Sequence, residues 1–170
     1  MRKTEAGMHP VQRLLEWFPE SDFGVLEHGW AVHGRDYLVI AQTPFGPSAG
    51  TYELRFTHVV RCVFESRVRD DVWPESWAEE FTDYQTWIEA GEPAGYVWGT
   101  NWSNAYPGLA AIPDSAPAVS WSERIGRPMF EATLETDRFE MKVIFHELRS
   151  EKLNDDVGTI SQVHFPLKSR

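Results

Sequence analysis

The chain has 170 residues, with 16 basic against 26 acidic side chains and a net charge of −10. Nucleic acid and anionic membranes attract Lys/Arg clusters, and none occurs, so neither is an expected partner. An apolar fraction of 42% and a charged fraction of 25% are those of a globular protein rather than a disordered one.

The one cysteine, Cys62, allows no intramolecular disulfide and suits a reducing compartment. Met1 to Pro10 has Arg2 and Lys3 but no apolar run behind them, so no signal peptide is expected. No stretch approaches the ~18 apolar residues of a membrane span. Asn101-Trp102-Ser103 matches a glycosylation sequon, which has no meaning without secretion. The expectation is a soluble, cytoplasmic, single domain over 1–170 that needs no cofactor.

Val11, Leu14, Leu15 and Phe18 fall on one helical face, with Pro10 at the start and Pro19 at the end, which predicts a helix over 10–18. Strands follow at 23–32 and 37–42, around the turn His33-Gly34-Arg35-Asp36. The clearest strand covers 51–65. Tyr52, Leu54, Phe56, His58, Val60, Cys62 and Phe64 lie on one face, and Glu53, Arg55, Thr57, Arg61 and Glu65 on the other. At ~3.3 Å per residue it would span about 50 Å, so it should curl.

Trp77, Phe81, Tyr84 and Ile88 switch to helical spacing over 76–91, with Ser76 and Glu79 as a capping box and Gly91 past the end. The segment 92–128 carries five prolines, at 93, 107, 113, 117 and 128. It reads as a short strand at 95–99 followed by a long loop over 101–120. Strands return at 130–134 and 138–148, where the apolar phase slips from Val143 and Phe145 to Ile144 and His146. That slip points to a bulge or a strand buried on both faces. A turn at 153–156 and a strand over 157–167 close the chain. The expected fold is mainly β, α+β at most: a curved antiparallel sheet or β-barrel of about six to eight strands with two short helices. Helix-sized gaps between strands are too rare for parallel βαβ units.

No motif fixes a chemistry. Gly46-Pro47-Ser48-Ala49-Gly50 has the G-x-S-x-G pattern, but a strand follows it where a nucleophile elbow needs a helix. Six histidines are scattered along the chain. His58 and Cys62 share a strand face at about 13 Å, too far to share a ligand. A site gathering His58, His146 and a carboxylate is conceivable across strands. Histidines bonded to backbone are the commoner use, since zinc sites need three or four converging ligands. The pairs Asp70-Asp71, Glu79-Glu80 and Asp155-Asp156 point their neighbours apart and give no acid/base couple.

The aromatic cluster is the most specific oddity: six of the eight tryptophans lie between Trp73 and Trp121. Trp98, Trp102 and Tyr106, interleaved with Asn101 and Asn104, make the candidate ligand-binding set, because aromatics beside amides suit sugar rings and other flat ligand faces. The competing reading is a loop tucked under the sheet by its own rings. Three functions stay open: a non-catalytic protein holding a small-molecule or saccharide ligand, an acidic inhibitor or immunity-type protein masking a basic protein partner, and an enzyme with dispersed His and carboxylate groups.

Overall fold

A computed structural model describes residues 8–18, 23–44, 47–70, 84–92 and 102–154. Among them are eight strands: β1 (Gly24–Trp30), β2 (Tyr37–Thr43), β3 (Gly50–Thr57), β4 (Arg61–Ser66), β5 (Ser103–Ile112), β6 (Phe130–Thr136), β7 (Phe139–Phe145) and β8 (Glu147–Asn154). Three helices join them: α1 (Pro10–Leu15), α2 (Tyr84–Glu89) and α3 (Ala116–Ile125). The strands form one antiparallel sheet in the order β4-β7-β6-β5-β1-β2-β3-β8. The expected curved antiparallel architecture is present, with one helix more than the two anticipated.

The curvature comes from strands that turn a corner. The predicted strand 51–65 is two, β3 and β4, broken at 58–60. His58 there adopts φ +50°, a left-handed conformation incompatible with a continuous strand. Phe56 is fully buried and Arg61 exposed, as the alternation requires, but Val60 is only half-buried and packs on a different cluster. The partner ribbon bends at the same level. His146 separates β7 from β8, and its N–H donates to the Thr57 carbonyl at 2.9 Å. β3 pairs with β8 below the corner, and β4 with β7 above it. β5 makes a similar crossing: Ser103 and Asn104 pair with β1, then a bulge between Ala105 and Gly108 passes the rest to β6.

The two halves of the sheet close on one core. Val39, Tyr52, Leu54 and Phe56 meet Leu134, Met141, Val143 and Phe145, with Phe56 and Phe145 edge to face at 5.0 Å. α1 adds Val11, Leu14 and Phe18. His9 caps it: Nδ1 accepts from the Val11 N–H, and Nε2–H donates to the Glu131 carbonyl at 2.9 Å. Ile144 faces the opposite way, into a smaller cluster with Ala118 and Met129 beneath α3. β7 is therefore buried on both faces there, the second of the two explanations for its phase slip.

The predicted loop 101–120 is corrected to β5 and the start of α3. Its prolines occupy permissive places. Pro107 sits in the β5 bulge, and Pro117 in the first turn of α3, where a missing N–H costs nothing. Ser115 caps that helix by accepting from the Ala118 N–H at 3.1 Å, and Gly126 ends it at φ +71°. The predicted turn at 153–156 is corrected in its first half, since Leu153 and Asn154 belong to β8. The predicted strands 95–99 and 157–167 lie outside the described residues. So does the first part of the predicted helix 76–91, of which α2 is the described portion.

Candidate functional site

The turn between β1 and β2 carries a buried, multiply bonded charge. Asp36 is buried, its side chain 2% exposed. Arg35 donates to both its oxygens, from Nε at 2.8 Å and Nη2 at 3.0 Å. The His58 backbone N–H donates to Oδ1 at 3.1 Å, so the same carboxylate braces the β3–β4 corner. Arg55 Nη1 stands 3.8 Å away and His33 Nε2 3.7 Å away. The Arg35 hydrogen bonds outweigh the effect of burial and hold the Asp36 carboxyl down at about 2.

Beside this turn lies a groove of about 500 Å³ on the outer face of β3 and β8. His33, Arg35 and Asp36 form one wall. Glu53 and Arg55 from β3, with Arg149, Ser150 and Glu151 from β8, form the floor. The β3–β8 register sets Arg55 directly opposite Arg149, and Glu53 directly opposite Glu151. Like charges facing each other across strands destabilise a sheet by roughly 0.2–1 kcal/mol per pair. Compensation runs along each strand instead. Arg55 Nη2 lies 2.7 Å from Glu53, and Arg149 Nη2 lies 2.8 Å from Glu147. The floor thus presents a cationic row and an anionic row two residues apart, roughly 7 Å along the strand.

Inside the curl, His28 lies against Phe64 at 5.0 Å and Phe139 at 4.7 Å, with Nδ1 2.8 Å from the Tyr37 hydroxyl. Burial lowers the His28 pKa, and pushes the Tyr37 phenol up to about 12 and the Cys62 thiol up to about 11. A thiol so raised is protonated at neutral pH and a poor nucleophile. The His58 and His146 rings, from the two corners, stand 5.6 Å apart.

Of the candidate ligand-binding set, Trp102, Asn104 and Tyr106 fall within the described residues. Trp98 and Asn101 lie outside the described residues. Trp102 is half-buried with its ring over Gly24, whose Cβ position lies 3.6 Å from the Trp102 Cβ. Asn104 is tied through its backbone: its N–H donates to Asp137 Oδ1 at 2.8 Å, and its carbonyl accepts from the Asp137 N–H at 2.9 Å. Tyr106 is 69% exposed, at the β5 bulge. The groove residues escaped sequence reasoning because Glu53 and Arg55 read as the polar face of a strand, His33, Arg35 and Asp36 as a turn, and Arg149, Ser150 and Glu151 fall between predicted elements. The alternation at Glu53 and Arg55 was a signal, but no sequence feature gives the register that sets them against Glu151 and Arg149.

No curated protein matches the chain. A crystal structure described as an uncharacterized protein from Neisseria gonorrhoeae is similar over 78% of this chain and 93% of that one, at 9% identity and a TM-score of 0.35. The sequence profile of the YxiG-like protein family matches residues 8–162, and the chain belongs to that family.

Proposed function

We propose that the protein is a non-catalytic binding protein whose groove takes a small zwitterionic molecule, its anionic group between Arg55 and Arg149 and its cationic group between Glu53 and Glu151. The observation that carries this reading is the pair of like-charged rows facing across β3 and β8. A ligand that places a counter-charge on each row turns two repulsions into charge-assisted hydrogen bonds. The volume lies within the ~300–1,000 Å³ of small-molecule sites. No Phe, Tyr or Trp ring lines the groove, which favours a charged ligand over a saccharide there. At neutral pH Asp36 is an anion and Cys62 a thiol, so neither supplies a group poised for proton transfer or attack.

A thermal-shift panel tests the reading with 6-aminohexanoate, 4-aminobutyrate, glutarate and 1,6-diaminohexane. The expected outcome is a saturable rise for the zwitterion whose charges span both rows, abolished in Arg55→Gln/Arg149→Gln. A flat panel, or a shift that survives the double variant, overturns it.

A second reading is an interaction protein with a basic protein partner. Phe64 and Trp30 are 47% and 50% exposed, on a chain of net charge −10. Exposed apolar rings on an acidic protein complement a basic surface. Competition of a captured basic protein by Phe64→Ser, with the groove variant retaining it, would transfer the function to this face.

A further inference from the structure

The two corners of the long ribbon bring together side chains that neither corner could pair alone. His58 follows β3 and His146 follows β7, and their rings stand 5.6 Å apart with planes 82° apart. We propose that His58 and His146 form a two-imidazole site for a borderline transition-metal dication of the Zn²⁺, Ni²⁺ or Cu²⁺ class.

Three features carry the inference. The first is spacing: two imidazoles bound at ~2.0–2.1 Å to one tetrahedral metal place their ring centres roughly 5 Å apart, close to the separation observed. The second is tautomer. His146 Nδ1 lies 2.8 Å from the Pro128 carbonyl, and a carbonyl only accepts, so Nδ1 carries the proton and Nε2 presents its lone pair. A ring N–H donated to a backbone carbonyl is the arrangement that orients metal-bound histidines. The third is preorganisation, since the His58 backbone is fixed by its N–H to Asp36 and the His146 backbone by its N–H to Thr57. Imidazole suits these metals, whereas Ca²⁺ and Mg²⁺ require oxygen ligands.

Among the described residues no third His, Cys, Asp or Glu joins the pair, so water completes the coordination. Arg35 and Arg127 also act on His58 and oppose a cation. The Arg35 charge is matched by Asp36. The site is distinct from the ligand groove, and its failure leaves the groove reading untouched.

Isothermal titration of the whole chain with Zn²⁺ at pH 7.5 should give one equivalent bound. His58→Ala and His146→Ala should each weaken binding at least tenfold, while His33→Ala, at the groove wall, binds as the parent does. A measurement on the unaltered protein guards against variants that fail to fold: substoichiometric Cu²⁺ should selectively broaden the amide signals of 57–60 and 145–148. No uptake of one equivalent, unchanged affinity in both corner variants, or broadening centred elsewhere would overturn the proposal.

Discussion

Replacing Asp36 by asparagine removes a charge but leaves an oxygen where the His58 N–H needs one. The two effects can therefore be separated against alanine, which removes both. In the folded protein the carboxyl sits at about 2 rather than 3.8, mainly because Arg35 donates to it. At ~1.36 kcal/mol per pH unit that depression corresponds to roughly 2 kcal/mol. Arg35 is 56% exposed and partly screened by water, so about 1 kcal/mol should be measurable. The sign follows from the direction: a depressed carboxyl stabilises the fold fully above its unfolded value near 3.8, and that contribution is lost as pH falls through about 2. Urea unfolding should show Asp36→Asn less stable by about 1–2 kcal/mol at pH 7, with most of the difference gone by pH 2.5. Asp36→Ala should cost a further ~1–3 kcal/mol, because it orphans the His58 N–H at the corner, and that part should persist in acid. Equal penalties for the two variants, or an asparagine penalty independent of pH, would refute the reasoning that Asp36 acts both as a charge partner and as the brace of the bend.

Four further outcomes are expected. Phe145→Ala removes the ring packed on Phe56, Phe130 and His9 and should cost about 3–5 kcal/mol by urea titration. Ser115→Ala deletes the α3 cap and the hydroxyl that donates to Glu131, and should cost about 1–2 kcal/mol; no measurable loss would mean that the helix does not depend on its cap. His9 and His28 have their pKa values lowered by burial, so their contribution is complete above the unfolded value near 6.5 and is lost as pH falls below it. The urea midpoint should therefore drop between pH 7.5 and pH 5.5, and less so in a folded His28→Gln variant. Cys62, raised from 9.0 to about 11, should react with a thiol reagent at pH 8 on the order of a hundredfold more slowly in the native than in the unfolded protein.

Where the sequence carried one periodicity, the fold could be read from it. Tyr52, Leu54 and Phe56 alternate because one face of β3 meets the core, and Val11, Leu14 and Phe18 recur at helical spacing because one face of α1 does. Reading failed where two physical demands overlapped. The alternation ran unbroken through His58, yet the chain bends there. The bend is enforced by Asp36 from another element, which no local pattern reveals. The prolines of 107–117 suggested a loop, although a bulge and a helix first turn both admit proline. Ser115, Pro117 and Gly126 are the start and stop signals of α3, which the proline density obscures. The groove was the least legible feature, because it depends on the register between β3 and β8, and β8 begins only after the His146 corner. Trp102 and Asn104 stood out by residue type alone, and the structure spends the Trp102 ring on Gly24 and the Asn104 backbone on Asp137.

The most direct test of the central claim is to map where a zwitterion binds, by following the amide signals of the isotope-labelled chain during titration with 6-aminohexanoate. Saturable shifts are expected at Arg35, Arg55, Arg149, Ser150 and Glu151, with Trp102 to Tyr106 unmoved. Shifts centred on Trp102 to Tyr106, or no saturable shifts at all, would contradict it.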